Sequence, residues 1–169
     1  ANPNSLPNSL TNNVVATFSN EYYPAIVANN SGIWKYINNQ FQSLILNGSY
    51  NATTITNDES NGLWFTMSNT SDNLVHYRPN MPLVFYQLNN VNALDIVDIQ
   101  YTNDGKLWLA LREDGLLQFD PNTNTTNLYP MPQINNGTGI TALTIDANNR
   151  LWIGGGKGIA QLKTDNTWQ

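Results

Sequence analysis

The chain has 169 residues with one His and no Cys, only 11% of it is charged, and 29 residues are Asn, so amides rather than charges supply the polar surface. Seven Lys and Arg against twelve Asp and Glu leave a net charge of −5, which argues against wrapping nucleic-acid phosphates or lying on an anionic membrane. No apolar run approaches the length of a membrane-spanning helix, and one His with no Cys excludes the common zinc sites.

Residues 1–13, ANPNSLPNSLTNN, carry PNSL twice in tandem. Pro, Asn and Ser favour turns and extended backbone, so this segment is expected to be a linker or lead-in. The start without Met suits a mature, processed or excised form, and a cleaved signal peptide would leave such a start. From Val14 onward short strand-like segments alternate with turn signals. The first group is VVATFSN, YPAIVAN, GIWKYIN and QFQSLIL; the second is ATTIT, GLWFTM, DNLVHY and MPLVFYQL. The third is DIVDIQY, KLWLAL, DGLLQFD and TTNLYPMP, and the fourth is ITALTID, RLWIGG, KGIAQL and a short NTWQ. Sequons occur at Asn29, Asn47, Asn51, Asn69, Asn124 and Asn136, a number that a chain so rich in Asn also produces by chance.

The four groups are repeats. Gly or Asn precedes Ile33, Leu74, Leu116 and Ile159, and three residues after each of these stands Tyr36, Tyr77, Phe119 or Leu162. A second column, Trp64, Trp108 and Trp152, follows a polar turn in each of the last three groups. Repeats of about 42 residues with four short strands each are the signature of β-propeller blades. One four-stranded meander cannot bury both faces, so such units stack face to face. Helical repeats would need apolar residues at 3.6 spacing, which the recurrent Asn, Thr, Gly and Pro prevent. The expected fold is all-β: a β-propeller of four repeats, four antiparallel strands each, either closed as four blades or part of a larger propeller. Expected boundaries are 14–50, 51–93, 94–137 and 138–169, the last blade lacking a full outer strand. That edge would be completed by residues 1–13, by a homo-oligomer or by a larger assembly.

The run from Asn103 to Trp108, NDGKLW, followed by DGLLQFDP from Asp114 to Pro121, resembles the two-component-regulator propeller repeat. That repeat occurs in periplasmic sensor regions. NGLWFTMSNTSDNLVHYRP, Asn61 to Pro79, is similar to a blade of streptogramin lyase-like propellers. Those lyases, the resemblance implies, work through His and acidic residues on loops around a magnesium site. This chain's only His, His76, stands in the column of Lys35, Gln118 and Gln161, a polar slot within the repeat, so no catalytic residue is expected.

The Trp column is expected to fill the space between adjacent sheets. Gly154, Gly155, Gly156, Lys157 and Gly158 lack the spacing of a phosphate-binding loop and are expected to form a tight connection between strands. Asp58, Glu59, Asp104 and Asp146 fall in recurrent turns, where Asp bonds locally, and each turn offers too few carboxylates for calcium; no metal or cofactor is expected. Propellers recognise partners through loops at one end. Here the loops between second and third strands gather Asp72, Arg112, Glu113, Asp114 and Lys157, which form the expected binding set. The expected function is a non-catalytic binding or scaffolding propeller outside the cytoplasm, a sensor region or a component of a cell-envelope assembly, that recognises a protein or a neutral glycan. A lyase-like or hydrolytic enzyme on the same fold is the alternative.

Overall fold

A computed structural model describes residues 14–18, 25–29, 32–46, 52–68, 71, 73–130, 139–156 and 158–169. The linker expected over residues 1–13 lies outside them. The described residues form four antiparallel meanders. The first sheet is β1 (Val14–Phe18), β2 (Ala25–Asn29), β3 (Gly32–Ile37) and β4 (Gln40–Leu46), hydrogen-bonded in that order. The second is β5 (Ala52–Asn57), β6 (Leu63–Met67), β7 (Leu74–Tyr77) and β8 (Val84–Tyr86). A short 3-10 turn, Ala93–Asp95, leads into the third: β9 (Ile96–Tyr101), β10 (Leu107–Leu111), β11 (Gly115–Asp120) and β12 (Thr125–Pro130). The fourth holds β13 (Ile140–Ile145), β14 (Leu151–Gly155) and β15 (Gly158–Leu162).

Beyond β15 the tail turns back. Gln161 and Gln169 exchange backbone hydrogen bonds of 2.8 and 2.9 Å, and Lys163 N donates to Thr167 O at 2.8 Å. With the bridge between Leu162 and Trp168, the last residues pair along only one end of β15, a rudiment of the outer strand.

The turns explain the Asn content. Among the described residues, the non-glycine residues with positive φ are Asn38, Asn39, Asn61, Asn80, Asn90, Asn124, Asn149 and Asn166, all Asn, the residue whose short polar side chain tolerates left-handed backbone. Asn38 and Asn39, at φ 50° and 60°, make a two-residue hairpin loop whose twist matches that of the flanking strands. Asn61, Gly105 and Asn149 each take positive φ three residues before the column Trp. Asn39, Asn80, Asn124 and Asn166 do the same between third and fourth strands or, in the last repeat, before the tail.

The chain divides into two compact units, Ala1–Thr56 with Asn61–Asn89, and Asn57–Ser60 with Asn90–Gln169. Each has its own core. In the first unit Ile33 of β3 is buried with Leu63, Phe65, Met67 and Val75 of the second sheet. In the second unit Trp108, Ala110 and Leu116 of the third sheet pack with Leu143, Leu151, Ile153, Ala160 and Leu162 of the fourth. Both cores follow one rule. Strand alternation gives each sheet a front, with the Trp column and the Ile33, Leu74, Leu116 and Ile159 column, and a rear with the intervening residues. In each unit the front of one sheet receives the rear of the next. Each fully buried Leu, Ile, Val or Phe contributes about 1.5–3 kcal/mol.

Within the second unit, polar groups join the first strands of the two sheets. Asp98 on β9 accepts from Leu143 N of β13 at 2.9 Å with one carboxylate oxygen and from Ile99 N at 2.9 Å with the other. Gln100 Nε2 donates to Leu143 O at 3.3 Å. Burial raises the Asp98 pKa, and the bonds from Leu143 and Ile99 oppose that rise.

Candidate binding surfaces

Of the five residues expected to gather on the loops, Arg112, Glu113 and Asp114 are described, and Asp72 and Lys157 lie outside the described residues. The three form the connection between β10 and β11, and all are exposed. Their backbone is held from two sides: Arg112 N donates to Asp95 O at 2.8 Å, and Arg112 O accepts from Ile140 N at 2.7 Å. Gly139, with φ at +63°, leaves room for the bond from Ile140. A Cβ there would come within 2.6 Å of Arg112 O and 2.9 Å of Arg112 Cγ. The turn thus presents one cation and two anions on a fixed frame. Gly154 and Gly155, expected in a connection, instead end β14, Gly154 facing Ala142 and Ile159 across the ladder.

The acidic turns are locally satisfied. Asp58 Oδ1 accepts from Ser60 N at 2.7 Å, and Thr102 Oγ1 donates to Asp104 Oδ1 at 2.6 Å. Asp146 accepts from Asn148 N, Arg150 N, Arg150 Nε and Trp152 Nε1 at 2.9, 3.0, 2.6 and 3.0 Å. Desolvation would raise its pKa, but the bonds from Trp152, Arg150 and Asn148 outweigh it and hold the carboxyl at about 2. Among the described residues no group of three or more His, Cys, Asp and Glu is placed to hold a metal ion.

Trp108 packs between the third and fourth sheets as the repeat suggests, and Trp64 and Trp108 are 1% and 7% exposed. Register sets Trp64 opposite His76, Trp108 opposite Gln118 and Trp152 opposite Gln161. His76 lies flat on Trp64, ring centroids 3.9 Å apart and planes within 7°. The imidazole is therefore part of a strand-to-strand stack.

A second surface was not foreseen from the sequence. A cleft of about 620 Å³ opens between the third and fourth sheets, at the strand ends away from the Arg112 turn. Trp108 and Tyr129, 5.0 Å apart between ring centroids, line it together with Gln118, Gln161, Arg150 and Lys163. Asn148, Asn149, Thr164, Asp165 and Asn166 form its rim. Both rim turns are braced, one by Asp146 and the other by Asp165, which accepts from Thr167 N at 3.0 Å and Thr167 Oγ1 at 2.6 Å. Its walls come from residues some forty positions apart, which no local motif brings together.

No protein-family model matches the chain, and no curated protein matches it by sequence. Solved structures match it in fold. The extracellular domain of BT4673 from B. thetaiotaomicron, assigned to a one-component system, has a TM-score of 0.70 and 16% identity over 92% of this chain and 22% of its own. PorZ, a surface component of the type-IX secretion system of Porphyromonas gingivalis, has 0.69 and 16% over 87% of this chain and 24% of its own. Virginiamycin B lyase from Staphylococcus aureus has 0.66 and 16% over 86% of this chain and 50% of its own. These are propeller folds, and the four meanders are built as propeller blades are. The chain spans between about a fifth and a half of the length of these proteins.

Proposed function

We propose that the chain is a non-catalytic binding or scaffolding module of propeller type, working outside the cytoplasm and holding a protein partner through the loops between second and third strands. The observation that carries this reading is the Arg112–Glu113–Asp114 turn, with three exposed charges on a backbone fixed at Asp95 and Ile140. A pre-ordered surface loses little freedom on binding. The fold likeness to an extracellular sensor domain and to a secretion-system surface component supports the setting. Asp72 and Lys157, in the corresponding loops of the second and fourth repeats, are proposed to take part in binding as well. Replacing Arg112, Glu113 and Asp114 together by Ser should weaken partner capture from the extracytoplasmic fraction at least tenfold while leaving the circular dichroism unchanged. Undiminished capture would remove this face from consideration.

The cleft favours a second reading, a neutral glycan, because aromatic edges, planar amides and hydroxyls meet there on braced turns. Titration calorimetry with neutral oligosaccharides on the parent chain and on a Gln118→Ala, Gln161→Ala variant tests it: heat on the parent alone supports the cleft, and no heat on either excludes it. What weighs against a lyase-like activity is His76. A His-to-Ala variant of virginiamycin B lyase is catalytically inactive, whereas His76 is engaged with Trp64 inside a sheet.

A further inference from the structure

The repeat gives three sheets equivalent front residues, and their exposure differs sharply. Leu74 and Leu116 are 0% exposed and Ile159, in the same column, is 72% exposed. Trp152 is half-buried where Trp64 and Trp108 are buried. Ala142, Thr144, Trp152, Gly154 and Ile159 line an apolar groove of about 340 Å³ on the front of the fourth sheet. A Cβ added to Gly154 would meet only Ala142 Cβ, at 3.9 Å, so the groove has room for an entering side chain.

The interface of third with fourth sheet shows what such a front receives: Leu143, Ile153, Ala160 and Leu162 from a rear face seat on Trp108, Ala110 and Leu116. Among the described residues, the first sheet carries a rear face of this kind. On β3, Ile33 turns to the second sheet, so Trp34 and Tyr36 face the other way. They hold the register positions filled by Val75 and Tyr77, Leu117 and Phe119, and Ala160 and Leu162 on the other rears. Phe41 of β4 pairs with Tyr36, ring centroids 4.9 Å apart, and Trp34, Tyr36 and Phe41 are each only half-buried.

We propose that the front of the fourth sheet docks the rear of the first sheet of a second copy of this chain, which continues the front-to-rear packing across a molecular boundary. The contact is heterologous, two different surfaces of one chain meeting on two copies. None of the groove residues is charged, so no ion needs to be desolvated on that side. Ile159 and Trp152 would meet Tyr36 and Trp34.

Sedimentation velocity of the whole chain over micromolar concentrations tests the contact. The expected mass is twice 18.9 kDa or a higher multiple, and Ile159→Glu should restore the single-chain mass with unchanged circular dichroism and Tm, because that side chain stands in solvent in the single chain. The chain has no Cys, so single-Cys variants report pairing cleanly. On mixing, Ile159→Cys and Tyr36→Cys chains should form a mixed disulfide. A parent chain that stays at 18.9 kDa overturns the proposal. So does crosslinking of Ile159→Cys only to itself, which would mean fronts meeting fronts, or an intrachain crosslink in the double variant, which would mean that the chain's own first sheet covers the face.

Discussion

The third and fourth sheets follow the same repeat pattern and differ in what lies on their fronts. In the third, Asp98, Ala110 and Leu116 stand across from one another, and the fourth sheet covers them. In the fourth, Ala142, Gly154 and Ile159 occupy the same rungs, and Ile159 is open to solvent. The carboxylate that binds the third sheet to β13 has no counterpart at Ala142. Burial here is a property of the neighbour, not of the repeat. One column of Trp therefore yields a core residue in one blade and a partly solvated one in the next.

Substitutions along matched rungs should expose that difference, most strongly at the Trp column. Trp108→Ala is expected to cost about 3–5 kcal/mol of unfolding free energy, and Trp152→Ala about 1–2 kcal/mol, both from urea titrations at protein concentrations low enough to keep single chains apart. Equal losses would mean that the fourth front is covered after all. The joint between the sheets comes next. Gly139→Ala forces a side chain into left-handed backbone against Arg112, at a cost of roughly 2 kcal/mol or more, and amide exchange should rise first at Ile140, whose N–H bonds that carbonyl.

A smaller effect separates the hairpins, Gly105 in the third sheet and Asn149 in the fourth. Asn149→Gly, which gives the fourth hairpin the third's residue, should change stability by no more than about 0.5 kcal/mol, whereas Asn149→Ala should lose about 1 kcal/mol. The smallest effect concerns pH. The Asp146 carboxyl, at about 2 in the folded chain, lies below its ordinary value. Its contribution is therefore complete above about pH 4 and is lost as pH falls through about 2. The Trp152 indole N–H resonance should report that midpoint, and Asp146→Asn should abolish it. A midpoint near 4 would show that Asp146 is not held by the Trp152 and Arg150 bonds in solution.

Much of the fold was legible because it rests on local chemistry. Alternation marked the strands, and the 44-residue recurrence of Trp64, Trp108 and Trp152 marked the register. The Asn-rich stretches marked turns, and Asn is the residue that takes left-handed backbone in them. The Asp98 link was not legible, since an Asp within DIVDIQY reads as an outward position of an alternating strand, and only the arrival of β13 makes it an acceptor. The cleft was hidden for a related reason, because Gln118 and Gln161 look like polar fillers of one column until two sheets place them around a common space. The exposed front was least legible of all: Ile159 and Leu116 match in sequence and part company only in three dimensions.

The left-handed Asn at the end of each third strand has a consequence for how such a chain grows. Each repeat carries its own instructions for reversing direction, in Asn39, Asn80, Asn124 and Asn166 alike, so a unit copied or deleted whole brings or removes a complete set of turns and leaves none unsolved. Gene duplication can then change the number of units without redesigning the turns within any of them.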